Sequence, residues 1–99
     1  MVLYQAARYK MIKRHIEVIN KLGLHARAAT RLVNEASGFE CEILLCRDGQ
    51  QVDAKSIMEI MMLAASQGAE LEIVVSGADE ELALEAMAHL FLSRFGEEE

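Results

Sequence analysis

Apolar and polar residues alternate in two stretches of the chain, residues 11–20 and 70–76, and a third stretch, residues 40–47, is also predicted to be a strand. In the first stretch, Ile12, Ile16 and Val18 share one parity, while Lys13 and His15 take the other. Such alternation predicts β-strands with one buried face. A fourth, shorter strand is expected after the dipeptide Asp48-Gly49, which is typical of a two-residue hairpin turn. The predicted strands cover residues 11–20, 40–47, 50–53 and 70–76.

Three other stretches carry apolar residues at helical spacing. One helix is expected from Ala26 to a stop at Gly38, and a second from Ser56 to about Ser66, ending near Gly68. A third follows Asp79, which we expect to cap its start. The predicted apolar stripes are Ala26, Ala29, Leu32, Val33 and Ala36 in the first helix, and Ala83, Leu84, Met87, Leu90 and Phe91 in the third.

The resulting order is strand, helix, strand, strand, helix, strand, helix. Short connections and a hairpin favour an antiparallel sheet with the helices packed on one face, an α+β fold. We expect residues 1–10 to be an N-terminal extension, residues 11–96 to form the domain, and residues 97–99 to be a solvated acidic tail.

Length and composition limit the functional classes. A chain of 99 residues with 53% hydrophobic residues and no proline predicts one globular domain. Its net charge of −6 and 5% aromatic residues argue against nucleic-acid binding. No apolar run approaches the roughly 18 residues that predict a membrane span, and no signal peptide is recognisable. We therefore expect a cytoplasmic protein without membrane insertion.

The two cysteines do not predict a disulfide or a metal site. Cys41 and Cys46 lie five positions apart in a predicted strand, which places them on opposite faces and beyond disulfide reach. No CxxC motif or histidine pair accompanies them. We interpret both as small, half-buried hydrophobic residues, and we expect no metal and no cofactor.

Among the three histidines, His25 has the most distinctive position. It stands between a glycine turn and a predicted helix, where the first backbone N–H groups lack helical partners and form an anion site. A phosphoryl group on His25 would be stabilised by these donors and by Arg27. The alternative is that His25 only occupies a cap position, although histidine is not a favoured cap. We expect His15 and His89 to be ordinary surface residues.

The second predicted helix combines a capping motif with an excess of apolar residues. Ser56 and Glu59 fit the capping box, in which each side chain satisfies the other residue's backbone donor. Ser56 could also carry a phosphate. The helix is too apolar for one buried face, so we expect Met58 and Met61 to be partly exposed as a docking patch. Deep burial of the whole helix is the alternative.

Two motifs resemble the signatures of one known family. The run Gly23-Leu24-His25-Ala26-Arg27-Ala28-Ala29 resembles the active-site signature of HPr, the histidine-containing phosphocarrier family of the bacterial phosphotransferase system. Lys55-Ser56-Ile57-Met58 resembles its regulatory-serine signature. Two further segments match its closing region, Gln67-Gly68-Ala69-Glu70-Leu71 and Ser76-Gly77-Ala78-Asp79-Glu80. The resemblance covers residues 11–95.

The resemblance implies an open-faced β-sandwich, a four-stranded antiparallel sheet covered on one face by three helices in the order βαββαβα. It implies a carrier rather than an enzyme. His25 would accept a phosphoryl group on Nδ1 from phosphorylated enzyme I, with help from Arg27, and pass it to a IIA protein. Partners would dock on Ala26, Arg31, Ile57, Met58 and Met61. A monomer is expected, since successive partners must reach His25.

Two positions depart from the family pattern. The family usually has proline where this chain has Ala28, and often glycine where it has Glu59. The first departure removes the preset geometry of proline in the first helical turn. The second leaves open whether an HPr kinase/phosphorylase acts on Ser56. One other class stays open, namely a regulatory docking protein of carbon or nitrogen control without sugar transport. A nucleic-acid-binding α+β domain is disfavoured by the acidic net charge and the scarcity of aromatic residues, and we expect no nucleic-acid partner.

Overall fold

The computed structural model describes residues 11–99, so the predicted extension at 1–10 lies outside the described residues. The order βαββαβα is confirmed. The strands are β1 (Met11–Glu17), β2 (Glu42–Arg47), β3 (Gln50–Asp53) and β4 (Glu70–Ser76). The helices are α1 (Ala26–Ala36), α2 (Ile57–Met62) and α3 (Glu80–Leu92), and a 3₁₀ turn (Arg94–Gly96) follows α3.

The four strands form one antiparallel sheet in the spatial order β1-β4-β2-β3. The predicted hairpin is confirmed, because Arg47 pairs with Gln50 across Asp48 and Gly49. These two turn residues have φ angles of 48° and 84°, as the two-residue turn that matches strand twist requires.

Inward-facing residues line up across the sheet and meet the helices. Ile12, Val75 and Ile43 occupy one row of paired positions in three adjacent strands. The apolar parity of β4, predicted from alternation, is confirmed by the burial of Leu71, Ile73 and Val75. The helices contribute Leu32, Ile60, Met87 and Phe91 to the same core. The α+β fold with three helices on one side of the sheet is therefore confirmed.

Helix α2 is shorter than predicted, because the backbone leaves the right-handed helical conformation at Ala64. It ends at Met62 rather than near Ser66, and Ala64 has a φ of 49°. Arg47 Nη1 donates to the carbonyl oxygen of Leu63 at 2.9 Å. The Ala65 carbonyl accepts the Leu24 N–H at 2.9 Å. These long-range contacts hold the backbone after Met62 in its non-helical course.

The start of α3 also differs in detail from the prediction. Asp79 occupies the cap position but makes no capping hydrogen bond with its side chain. Its carboxylate accepts the backbone N–H groups of Glu40 and Cys41 at 2.8 and 2.9 Å, and these bonds, that of Glu40 foremost, lower its pKa. Glu80 instead accepts the Gly77 N–H at 2.9 Å. Asp79 thus ties the entry of β2 to α3.

The predicted stripe of α1 is wrong at its first residue. Ala26 is exposed, while Ala28 is fully buried. Both cysteines are free thiols, and Cys41 precedes β2 instead of lying within it. Burial raises the pKa of the Cys41 thiol to about 11, which leaves it protonated and unreactive at neutral pH.

Candidate functional site around His25

His25 lies directly before α1, as the sequence predicts. Its backbone is extended, with φ −76° and ψ 179°, and its side chain makes no capping hydrogen bond. The first intrahelical bond runs from the Ala29 N–H to the His25 carbonyl at 2.8 Å. The N–H groups that precede Ala29 in the first turn therefore face outward from the helix start, where an anion is favoured.

The loop before His25 is held tightly against the segment after α2. Gly23 has a φ of 70°, and a Cβ atom there would lie 2.6 Å from the Ala65 carbonyl oxygen and 2.8 Å from Ser66 Cα. Fully buried Asn20 donates to the Gly23 carbonyl at 2.8 Å. The loop therefore has little freedom, and it sets where the His25 side chain emerges.

The expectation of a solvated acidic tail is wrong for Glu97. Its Oε2 atom lies 2.6 Å from His25 Nε2, and its Oε1 atom accepts from Asn20 Nδ2 at 3.0 Å. The Glu97 side chain is only 12% exposed, and that of His25 is 27% exposed. No local sequence pattern links Glu97 to His25, because the two residues are 72 positions apart.

The 3₁₀ turn after α3 brings Glu97 to this position. Arg94 and Phe95 have φ angles of 57° and 55°, which reverse the chain direction. Buried Phe95 packs edge-on against Phe91 with ring centroids 4.9 Å apart. The Arg31 guanidinium donates to the Phe95 carbonyl. Arg31, expected on a docking surface, therefore also anchors the turn that carries Glu97.

Charges of both signs line an open groove of about 500 Å³ beside His25. Lys21, Arg27 and Arg31 contribute cations, and residues 97–99 contribute carboxylates. Lys21 Nζ pairs with the Glu99 carboxylate at 3.1 Å. Burial by itself would raise the pKa of Glu97, but hydrogen bonds from His25 and Asn20 and the nearby charges of His25 and Arg27 lower it below its usual value. Glu97 is thus an anion at neutral pH.

The other two histidines lie away from this groove. His15 is on the exposed face of β1 and pairs with Glu70 at 2.8 Å, and His89 is exposed on α3. This agrees with the expectation of ordinary surface residues.

Ser56 lies at the start of α2, where only one of the two hydrogen bonds of the predicted capping box forms. The Ser56 hydroxyl accepts the Glu59 N–H at 3.3 Å. The Glu59 carboxylate does not return to Ser56 but accepts the Asp53 N–H at 3.0 Å. The Ser56 N–H is satisfied by the Asp53 carbonyl, which leaves Glu59 free to hold the preceding turn.

The predicted exposure of Met58 and Met61 is confirmed, at 77% and 43%. Ile57 is 39% exposed, so deep burial of the whole helix is excluded. Two further apolar side chains are exposed beyond the prediction, Met62 on α2 and Leu22 in the loop before His25, each 66% exposed. Helix α2 packs against α1, so this apolar surface and the His25 groove belong to neighbouring elements.

Comparison with known proteins identifies the family. Residues 12–93 match the family model of the PTS HPr component phosphorylation site. The chain is 47% identical over 89 residues to the phosphocarrier protein HPr of Cupriavidus necator, covering 90% of this chain and all of that protein. It is 40% identical over 88 residues to the phosphocarrier protein NPr of Escherichia coli, covering 88% of this chain and 98% of that protein.

Solved structures agree with the sequence comparison. The crystal structure of HPr-C-His from Thermoanaerobacter tengcongensis matches with a TM-score of 0.87 and 46% identity, covering 90% of this chain and all of that chain. An HPr dimer from the same organism matches with a TM-score of 0.71 and 48% identity, covering 83% of this chain and 94% of that one. Within residues 11–99, no helix has the length and apolar character needed to cross a membrane. The chain belongs to the HPr family of phosphocarrier proteins of the phosphotransferase system, which carry phosphoryl groups and are not themselves catalysts.

Proposed function

We propose that this chain accepts a phosphoryl group on His25 from phosphorylated enzyme I and passes it to a IIA protein of the phosphoenolpyruvate-dependent phosphotransferase system. The observation that carries the proposal is the position of His25. Its imidazole lies at a helix start without a capping side chain and contacts Glu97, which lines an open groove together with Arg27.

The chemistry of this position suits a transient phosphoryl group. A neutral imidazole nitrogen is a nucleophile available near pH 7. The N–H groups of the first turn and the positive end of α1 would stabilise the phosphoryl oxygens, and Arg27 would add charge-assisted hydrogen bonds. Each contact at such an exposed helix end is worth on the order of 1 kcal/mol. That is enough to orient the group without trapping it.

We propose that partners dock on the surface formed by Ala26, Arg31, Ile57, Met58 and Met61. The alanine and the arginine lie on α1, and the three apolar residues lie on α2 with exposed side chains. Methionine side chains adapt to partners of different shape, which suits a carrier that meets more than one protein. A cytoplasmic monomer fits this role, because it keeps His25 accessible to both donor and acceptor.

Ser56 is proposed as a regulatory phosphorylation site for an HPr kinase/phosphorylase. Its position at the start of α2 would tolerate the added negative charge. Glu59 opposes this, because its carboxylate holds the Asp53 N–H one turn away and would repel a phosphate on Ser56. The extent of phosphorylation at Ser56 thus depends on how readily Glu59 gives up that bond.

The similarity to NPr favours a second candidate function. The chain would then act as a regulatory docking protein in carbon or nitrogen control, without a role in sugar transport. This function uses the apolar surface of α2, and the two candidates differ in what they require of His25. A docking protein keeps its partner binding in His25→Ala, whereas a carrier loses all transfer.

The test is the intact mass of the protein after incubation with enzyme I and phosphoenolpyruvate. We expect one acid-labile phosphoryl group on the wild-type chain and none on His25→Ala. The matched controls are His15→Ala and His89→Ala, which remove exposed histidines elsewhere and should leave the added mass unchanged. Absence of the added mass from a folded wild-type chain with active enzyme I would exclude the carrier function.

A further inference from the structure

We infer that Glu97 is a positioning residue for phosphoryl transfer at His25, one that keeps the proton on Nε2 and leaves Nδ1 as the nucleophile. This rests on the proposed function and deepens it. Glu97 acts through the imidazole ring and does not itself touch the phosphoryl group.

The geometry fixes both the carboxylate and the ring. Glu97 Oε2 lies 2.6 Å from His25 Nε2. The other oxygen, Oε1, accepts from Asn20 Nδ2 at 3.0 Å, and the same amide nitrogen donates to the Gly23 carbonyl at 2.8 Å. Because Asn20 is fully buried, it holds the carboxylate in one orientation.

The proton in this contact belongs to the histidine. An ionised carboxylate can only accept hydrogen bonds, and the hydrogen bonds around Glu97 favour its ionised form. The Nε2 atom must therefore carry hydrogen and donate. In a neutral imidazole, the other nitrogen then has no hydrogen, so Nδ1 keeps its lone pair for attack.

The transfer step balances without any proton leaving the site. The Nδ1 lone pair forms a bond to the phosphorus of a phosphohistidine donor, and the donor's N–P bond breaks with its electron pair returning to the donor nitrogen. The His25 ring becomes a cation that carries the phosphoryl group on Nδ1 and hydrogen on Nε2. Onward transfer returns the electron pair to Nδ1. Glu97 keeps hydrogen on Nε2 in between, so that the ring leaves as a neutral imidazole and not as an anion.

Several other charged groups line the same groove as Glu97 and contribute to the electrostatic potential at the His25 ring. Lys21, Arg27 and Arg31 are the cations, and Glu98 and Glu99 are the other carboxylates. The Glu99 carboxylate pairs with Lys21. The direct contact of Glu97 with the ring therefore distinguishes it from two neighbouring carboxylates of the same charge, and Glu98 offers a matched control.

The test compares Glu97→Gln with Glu98→Gln, each folded as judged by thermal unfolding. Both variants remove one negative charge from adjacent positions. Nitrogen-15 NMR of the unphosphorylated ring should show a single tautomer with hydrogen on Nε2 in the wild type and in Glu98→Gln. It should show a mixture of tautomers in Glu97→Gln.

A second readout follows the phosphorylated ring. Phosphoramidate, a small phosphoryl donor that needs no enzyme I, should modify Nδ1 in the wild type and divide between Nδ1 and Nε2 in Glu97→Gln. The pH profile of hydrolysis of the Nδ1-linked group should shift to lower pH by about one unit in Glu97→Gln, because a nearby carboxylate stabilises the protonated ring.

Two results would overturn the inference. One is a Glu97→Gln variant with the wild-type tautomer and hydrolysis profile, and the other is an equal change in Glu98→Gln. Neither readout uses enzyme I, so failure of the proposed function would appear separately, as a wild-type chain that phosphoramidate modifies but phosphorylated enzyme I does not.

Discussion

Helices α1 and α2 begin with residues of different chemistry and with contacts of different range. At the start of α2, the Ser56 hydroxyl accepts the Glu59 N–H, and Glu59 reaches back to Asp53, six positions away. At the start of α1, His25 caps nothing, and its ring is held by Glu97, 72 positions away. The start of α2 is therefore stabilised by residues of its own segment, whereas the start of α1 depends on a residue that is distant in sequence.

This difference separates a helix start that is closed by its own side chain from one that the proposed function would use. The hydroxyl of Ser56 satisfies a backbone donor that would otherwise lack a partner, and such caps stabilise helices. The donors of α1 have no such side chain, so they remain available to an anionic group. A helix start that leaves its donors open gives up local stability, and it needs long-range contacts to keep its histidine in place.

The largest effect is expected from a substitution in the loop that positions His25. Gly23→Ala places a Cβ against the Ala65 carbonyl oxygen and Ser66 Cα, in a backbone conformation with φ of 70°. Left-handed strain and backbone overlap together should lower the free energy of unfolding by about 3 kcal/mol. Denaturant unfolding measures this loss.

Gly68→Ala is the matched control for that loss. Gly68 also has positive φ, at 92°, but a Cβ there meets nothing within 4 Å. Only the conformational cost of about 1 kcal/mol should remain. Equal losses in the two variants would contradict a tightly packed loop before α1.

An intermediate effect is expected from Arg27→Ala. Arg27 is exposed and lines the groove beside His25, so its removal should cost little stability. It should slow phosphoryl transfer from enzyme I about tenfold, equivalent to roughly 1.4 kcal/mol of transition-state stabilisation. Rapid-quench kinetics measures the rate. The transfer rate of Arg27→Lys should lie between those of the wild type and Arg27→Ala, because lysine keeps the charge and lacks the planar guanidinium group. A wild-type rate in Arg27→Ala would contradict the proposed role.

The smallest effect is expected at the start of α2. Ser56→Ala removes the acceptor of the Glu59 N–H and should lower the free energy of unfolding by about 1 kcal/mol. Phosphorylation of His25 should be unchanged. Ser56→Asp keeps an acceptor at the cap and should retain most of the stability. If Ser56→Ala unfolds at the wild-type denaturant concentration, the cap has no energetic role.

The elements predicted well are those that depend on neighbouring residues. The hairpin at Asp48-Gly49 follows from the backbone conformations that these residues tolerate, and the bounds of α1 follow from its helical periodicity and the glycine after it. The prediction of α2 fails at its end because the backbone turns to a positive φ at Ala64, in a segment held by Arg47 and Leu24, both distant in sequence.

For the site, the sequence by itself determined that a histidine precedes a helix with an open start and that Arg27 follows this histidine. It also determined that α2 has more apolar side chains than one buried face can hold, so that Met58 and Met61 are exposed. These features follow from the spacing of apolar residues and from the unpaired N–H groups at a helix start. The tertiary structure decided that Asp79 binds the entry of β2 and that Glu97 binds the His25 ring. A carboxylate in sequence has no preferred partner, and only the folded chain brings one specific donor within hydrogen-bonding distance.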